Sequence, residues 1–202
     1  MYIPKTNLTT NKNEIVAFMQ RFSFASIVTT KDNFPTATHL PFLITLKEDE
    51  VVLTSHFAKA NEQWKDVEAV TNLVIFNEPH AYISPTHYDT ALNVPTWNYI
   101  AVHAYGQAKL ITEPEKTLKL LEATIDNYEP AYRQQWDNMP EDFKTKMAKG
   151  IVAFEIVVTD LQAKKKLSQN KSDNEKEKIV AALSKSDDTN EKLIAEYMQN
   201  DM

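Results

Sequence analysis

Thr54-Ser55-His56, followed by Lys59 and Asn61, gathers hydroxyls, an imidazole, an ammonium and an amide into one short stretch. A second polar group, Thr38-His39-Leu40-Pro41, precedes it. Hydrogen-bond donors combined with positive charge are what a phosphate or other anion needs. The pattern predicts strands over Phe24–Thr30, Thr36–Leu46 and Val51–Ser55, joined as a meander, with turns at Lys31–Pro35 and Lys47–Glu50. His56–Val67 then reads as a short helix opening off a strand end, where free backbone N–H groups would add to the pull on an anion. If the second and third strands pair, both groups meet at one corner of the sheet. The plainer alternative is an exposed lysine beside ordinary strand-end polar residues.

Other chemistries find less support. His39, His56, His80, His87 and His103 stand on separate elements, with neither an HExxH pattern nor a paired helical spacing, so no metal site is expected. Ser55, Ser84 and Ser168 lack a Gly-x-Ser-x-Gly elbow, and nothing in the sequence ties them to a base. We therefore expect no catalytic residue of the hydrolase kind. The absence of cysteine excludes disulfides, thiol catalysis and thiolate metal sites, and two glycines are too few for a Rossmann fingerprint or a Walker loop. Any nucleotide-like ligand must be held by side chains and strand backbone.

The most aromatic stretch is Val94–Gly106, VPTWNYIAVHAYG. Pro95 suits a strand start, Thr96–Tyr105 reads as a central strand, and Gly106 permits a bulge before Gln107–Ile111. Alternation puts Trp97, Tyr99, Ala101, His103 and Tyr105 on one face, and Asn98, Ile100, Val102 and Ala104 on the other. On residue type alone, Trp97 reads as a core aromatic. Helical spacing marks Asn11–Phe22, a stripe of Leu118, Leu121, Ile125 and Tyr128 behind a capping-box pattern at Thr112–Glu115, and Pro140–Lys149, with Gly150 as a stop. Short strands are expected at Leu73–Phe76, Ala81–Ser84 and Ile151–Thr159. The tail begins with basic, polar Ala163–Asn174. Two charged helices then follow at about 175–185 and 189–199, each with a narrow apolar stripe able to dock on the barrel or on a partner.

These elements must form around one sizeable core, which 202 residues with 43% hydrophobic content can supply. The fold class is mainly β with peripheral helices, a β-barrel plus α. We expect a single domain over 1–202 with a C-terminal helical extension at about 173–202. No run is long enough for a membrane span, the start lacks signal-peptide layout, and the absence of cysteine agrees with a cytoplasmic protein. A net charge of −6 argues weakly against broad attraction to nucleic acid.

Five ordered segments carry a resemblance: THLPF (Thr38–Phe42), SHFAKANEQW (Ser55–Trp64), HAYISPTHY (His80–Tyr88), VPTWNYIAVHAYG and KLSQNK (Lys166–Lys171). Together they resemble the PaiB family, described as FMN-binding negative transcriptional regulators within the FMN-binding split-barrel group that includes pyridoxamine-phosphate oxidases. The resemblance implies a six-stranded split barrel, a homodimer, and FMN in a cleft at the subunit interface. By the same resemblance the backbone of His39, Leu40 and Pro41, beside Thr38, would face the isoalloxazine edge. Thr54, Ser55, His56 and Lys59, in the segment ending at Asn61, would take the phosphate. Trp97 and Asn98 would lie near the ring, and Lys166, Ser168 and Gln169 would complete the phosphate or ring contacts. KLSQNK also has the plain reading of a solvated basic turn. This chain departs from the family pattern in having Lys59 for Arg, which keeps the charge but loses the bidentate fork. It also has Glu62 for Pro, His87 for Trp and Ala163 for Gly.

The resemblance implies a flavoprotein repressor whose partners are FMN, a second copy of the chain, and DNA or a transcriptional partner. It has no clear helix-turn-helix, and the acidic C-terminal helices suit a flank better than a phosphate contact. The alternative is an FMN-dependent oxidoreductase acting on a small molecule, in which the cofactor supplies the redox chemistry. A third reading is a ligand-sensing module without FMN.

Overall fold

A computed structural model describes residues 1–201. The chain divides into two compact units, one built from 1–15, 77–103 and 162–202, the other from 16–76 and 104–161. Two long strands, β8 (Thr96–Ile111) and β9 (Ile151–Lys166), contribute residues to both.

The second unit contains most of helix α1 (Lys12–Arg21) and strands β2 (Phe24–Lys31), β3 (Phe34–Pro41), β4 (Leu43–Lys47), β5 (Glu50–Ala58) and β6 (Thr71–Phe76). Helices α2 (Pro114–Tyr128), α3 (Arg133–Asp137) and α4 (Glu141–Ala148) complete it, with parts of β8 and β9. Its strands follow the order β3-β2-β6-β8-β9-β5-β4. Strict alternation drives this sheet: along β5, Val51, Leu53, Ser55 and Phe57 are buried while Val52, Thr54 and His56 take the other face. The buried faces bring Phe42 within 6.1 Å of Phe76 and of Phe154, and stack Phe57 on Phe154 at 4.9 Å.

The expected meander is corrected. β2–β3 and β4–β5 are antiparallel hairpins, but the strand foreseen at Thr36–Leu46 breaks at Phe42, and its halves stand at opposite ends of the strand order. Pro41 has no N–H to continue the ladder, and Phe42 turns inward to be 1% exposed. As an edge strand, β3 is solvent-exposed over most of its length and carries proline at Pro35 and Pro41.

The helix expected at His56–Val67 is also absent. β5 runs on to Ala58 because Ser55–Ala58 pair with Ile151–Phe154, and only one 3-10 turn follows, Glu62–Lys65. Asn61 caps that turn by accepting from the Gln63 N–H. An anion here would meet side chains and turn backbone, not a helix end.

Gly106 makes no break in β8. A Cβ there would come within 2.4 Å of the Val157 carbonyl oxygen, so glycine permits close packing against β9. The capping box foreseen at Thr112–Glu115 does not form, since Glu113 caps α2 without a side-chain bond and its carboxylate pairs with Lys116. The box forms instead at Ser172 and Glu175, heading α5.

In the first unit, β1 (Leu8–Thr9) pairs with β9 across Lys164 and Ala163, and β7 (His80–Ile83) pairs with β8 across Thr96–Tyr99. The foreseen polar tail therefore begins later: Ala163 and Lys164 are buried residues of β9. Helices α5 (Asp173–Leu183) and α6 (Thr189–Asn200) pack on each other, and α6 packs on β7. Ile83, Ile179, Ile194 and Met198 form the interior.

Candidate functional site

In the second unit the residues of the first motif separate into those consumed by the fold and those left over. Gln63, 6% exposed, is a hub: its amide nitrogen donates to the Thr29 hydroxyl at 2.9 Å and to the carbonyls of Ile27 and Thr36, each at 3.2 Å. Its amide oxygen accepts from the Thr38 hydroxyl at 2.6 Å. Thr29 in turn donates to Asn72, which donates to the Val67 carbonyl at 2.7 Å. Asn61 donates to Thr38 at 2.8 Å. Thr38 and Asn61 thus secure the turn after β5. The Ser55 hydroxyl, on the buried face, donates to the Pro41 carbonyl at 2.6 Å, and His39 shares a 2.8 Å hydrogen bond with Ser26. Leu40 is buried.

Thr54, His56 and Lys59 remain. Thr54 and His56 share the less buried face of β5, and Lys59 is exposed in the turn behind them, its N–H fixed on the Gly150 carbonyl at 2.8 Å. Among the described residues, none of the three side chains has a hydrogen-bond or ion-pair partner. Burial holds the His56 imidazole below its ordinary value, so it is a neutral donor at pH 7. A hydroxyl, an N–H and an ammonium without partners fit a phosphate.

In the first unit Trp97, Asn98, Lys166, Ser168 and Gln169 come together. Asn98, fully buried, and Ser168 bond each other through both amide atoms, at 3.0 and 3.1 Å. Ser168 holds φ 60°, a left-handed conformation unusual for a residue with a Cβ. Gln169 closes its own turn, accepting from Leu167 N–H and donating to the Lys165 carbonyl. Lys166 donates to the Thr96 hydroxyl and, at 2.5 Å, to the Trp97 carbonyl. Its ammonium is held below the usual lysine value by burial first and by Lys164 second.

Trp97 is no core aromatic. It is 52% exposed, with its ring 5.9 Å from those of His80 and Tyr82 on the neighbouring strand. Asn98, Lys166, Ser168 and Gln169 line a cavity of about 410 Å³. Residues not singled out from the sequence complete it, among them Tyr88, Asn93, Thr96, Asn170 and Lys171. Lys171 and Asn170 lay within the KLSQNK motif, and a second lysine so close to Lys166 was the available signal. Gln63 lay within SHFAKANEQW, but nothing in sequence marks a glutamine as a buried hub.

Among the described residues no group of three potential metal ligands forms, and no helix is long and apolar enough to cross a membrane.

Residues 1–160 match the family described as "Putative FMN-binding domain". The chain is 41% identical over 206 residues to the Protease synthase and sporulation protein PAI 2 of Bacillus subtilis, covering 100% of this chain and 98% of that protein. Its fold is similar to that of the flavocytochrome Anf3 from Azotobacter vinelandii, with TM-score 0.65, 14% identity, and coverage of 81% and 72% of the two chains. It is also similar to the FAD and heme binding protein from Mycobacterium smegmatis, with TM-score 0.62, 13% identity, and coverage of 79% and 73%. Mostly antiparallel strands, flanking helices and these likenesses establish the split-barrel fold. The chain belongs to the PaiB family of FMN-binding split-barrel proteins, and FMN is the cofactor that membership assigns to it.

Proposed function

We propose that the protein is an FMN-dependent negative regulator of transcription of the PaiB type. In this reading it is a single split-barrel domain over 1–202 and works as a cytoplasmic homodimer. The observation carrying the cofactor half is the unspent trio in the second unit: Thr54 and His56 share one face of β5, Lys59 follows in the next turn, and none of the three side chains has an internal partner among the described residues. These three would hold the phosphate, and the backbone of His39–Pro41 would face the ring edge. When bound, FMN supplies reversible one- and two-electron redox chemistry. The chain's own residues bind it, orient it and keep its phosphate neutralised.

The regulatory half is supported by family membership. Repression would run through a partner rather than through α5 and α6, whose apolar residues Ile179, Leu183, Ile194 and Met198 are consumed in packing. The test is a fluorescence titration with FMN and, separately, riboflavin. Lys59→Ala should weaken FMN about tenfold, the scale of one charge-assisted hydrogen bond. It should leave riboflavin unchanged, and Lys47→Ala, in the β4–β5 hairpin, should change neither. Equal FMN affinities for all three proteins would refute the phosphate placement. A salt-dependent gel shift, or its absence on every promoter fragment offered, tests the DNA arm.

The second reading is a flavin-dependent oxidoreductase. The observation favouring it is the cavity beside Asn98 and Lys166, which gives a small molecule a place to bind. Turnover of a nicotinamide cofactor by the FMN-loaded protein would select it.

A further inference from the structure

The first unit gathers more positive charge at one place than it neutralises. Lys164, Lys165 and Lys166 end β9, and Lys171 follows after a short turn. Lys165 is doubly paired, 2.7 Å from both Glu14 and Asp201. Its neighbours are not: among the described residues, Lys164, Lys166 and Lys171 have no ion pair.

Each is solvated by neutral groups instead. Lys164, 8% exposed, lies 5.0 Å from the Tyr99 ring centroid and donates to the Tyr2 carbonyl at 3.3 Å. Lys166 rests on Thr96 and the Trp97 carbonyl. Lys171 sits 3.5 Å over the Tyr88 ring and donates to Asn93 at 3.0 Å. Rings and carbonyls lower the cost of burying an ammonium but leave its charge uncancelled. Glu175, which feels Lys171, spends its carboxylate on the N–H groups of Asp89 and Ser172, at 3.0 and 3.1 Å. The chain has no shortage of carboxylates, with 28 acidic residues against 22 basic ones. Lys166 and Lys171 line the same cavity of about 410 Å³, and its remaining lining residues are neutral. That volume suits a metabolite-sized molecule.

We propose that this cavity binds a small organic anion, a carboxylate or a phosphate monoester, with Lys166 and Lys171 as its cations and the Asn170 amide at its rim. The ligand is a second one beside FMN, and its oxyanion supplies the charge that the protein itself withholds. The inference rests on the reading that Thr54, His56 and Lys59 hold the FMN phosphate, so the test separates the two.

Full-length protein saturated with FMN is titrated calorimetrically with succinate and, separately, inorganic phosphate at constant ionic strength. Saturable binding of either is expected, and which one binds identifies the oxyanion. Lys171→Gln and Lys166→Gln should each weaken it about tenfold, while Lys59→Gln leaves it unchanged. No saturable heat with either probe overturns the proposal. Equal weakening by all three variants overturns it in favour of diffuse charge. Loss of FMN affinity in Lys171→Gln without loss of probe binding overturns it in favour of FMN occupying the cavity. If wild-type protein takes up no FMN, the FMN reading fails; the titrations, run on the same chain, still decide the cavity.

Discussion

The Gln63 hub of the second unit and the lysine-lined cavity of the first treat polar groups in opposite ways. Around Gln63 every donor finds an acceptor: threonine hydroxyls, the Asn72 amide and strand carbonyls close on one another with little exposure. In the cavity, two cations face neutral neighbours, although carboxylates are available along the same chain. A satisfied buried network fixes a backbone, whereas an unsatisfied set is a standing invitation to a ligand. The contrast recurs over one residue: Lys165 binds Glu14 and Asp201, and Lys166 binds none. Burial alone would lower the Lys165 ammonium, but its two carboxylates outweigh that and raise it. Lys166, without them, is lowered.

The largest effect that could break this comparison is at the hub. Gln63→Leu strands the Thr29 and Thr38 hydroxyls and two strand carbonyls, and should cost about 3 kcal/mol in urea denaturation. A loss below about 1 kcal/mol would show that the hub is dispensable. Next comes the lysine pair. Lys165→Met leaves two carboxylates facing a methionine, while Lys166→Met relieves the repulsion from Lys164 and sacrifices only neutral contacts. Lys165→Met should therefore be the more destabilising by about 1 kcal/mol. The reverse order, by thermal denaturation, would contradict the idea that the second lysine is kept for a ligand.

The smallest effect concerns protons. Burial lowers the His56 imidazole, so below about pH 6.5 the unfolded chain binds a proton that the native state refuses. The part of the stability that His56 governs is level above that value and falls as the pH drops beneath it. His56→Gln should flatten part of this decline, and an unchanged slope in denaturation at stepped pH would show that the imidazole charges without penalty.

Which of these features the sequence disclosed follows physical lines. Alternating apolar residues foretold β2, β5 and the long β8, because a half-buried strand must alternate. The five ordered motifs led to the family, which no single one could have done. The sequence did not disclose which polar residues are spent. Ser55 and Thr54 are adjacent hydroxyls, yet pairing with β9 turns Ser55 inward to Pro41 and leaves Thr54 without a bond. The helix expected after His56 lost to that same pairing, a long-range contact that local patterns do not contain. Lys171 reads as one more charge in a basic turn until the fold sets it against Tyr88.

The outermost strand of the second unit has a further bearing. β3 presents an open flank, but the imino rings of Pro35 and Pro41 withhold two of the amide protons a stranger's backbone would need. Templated growth into fibres is thereby discouraged at that flank.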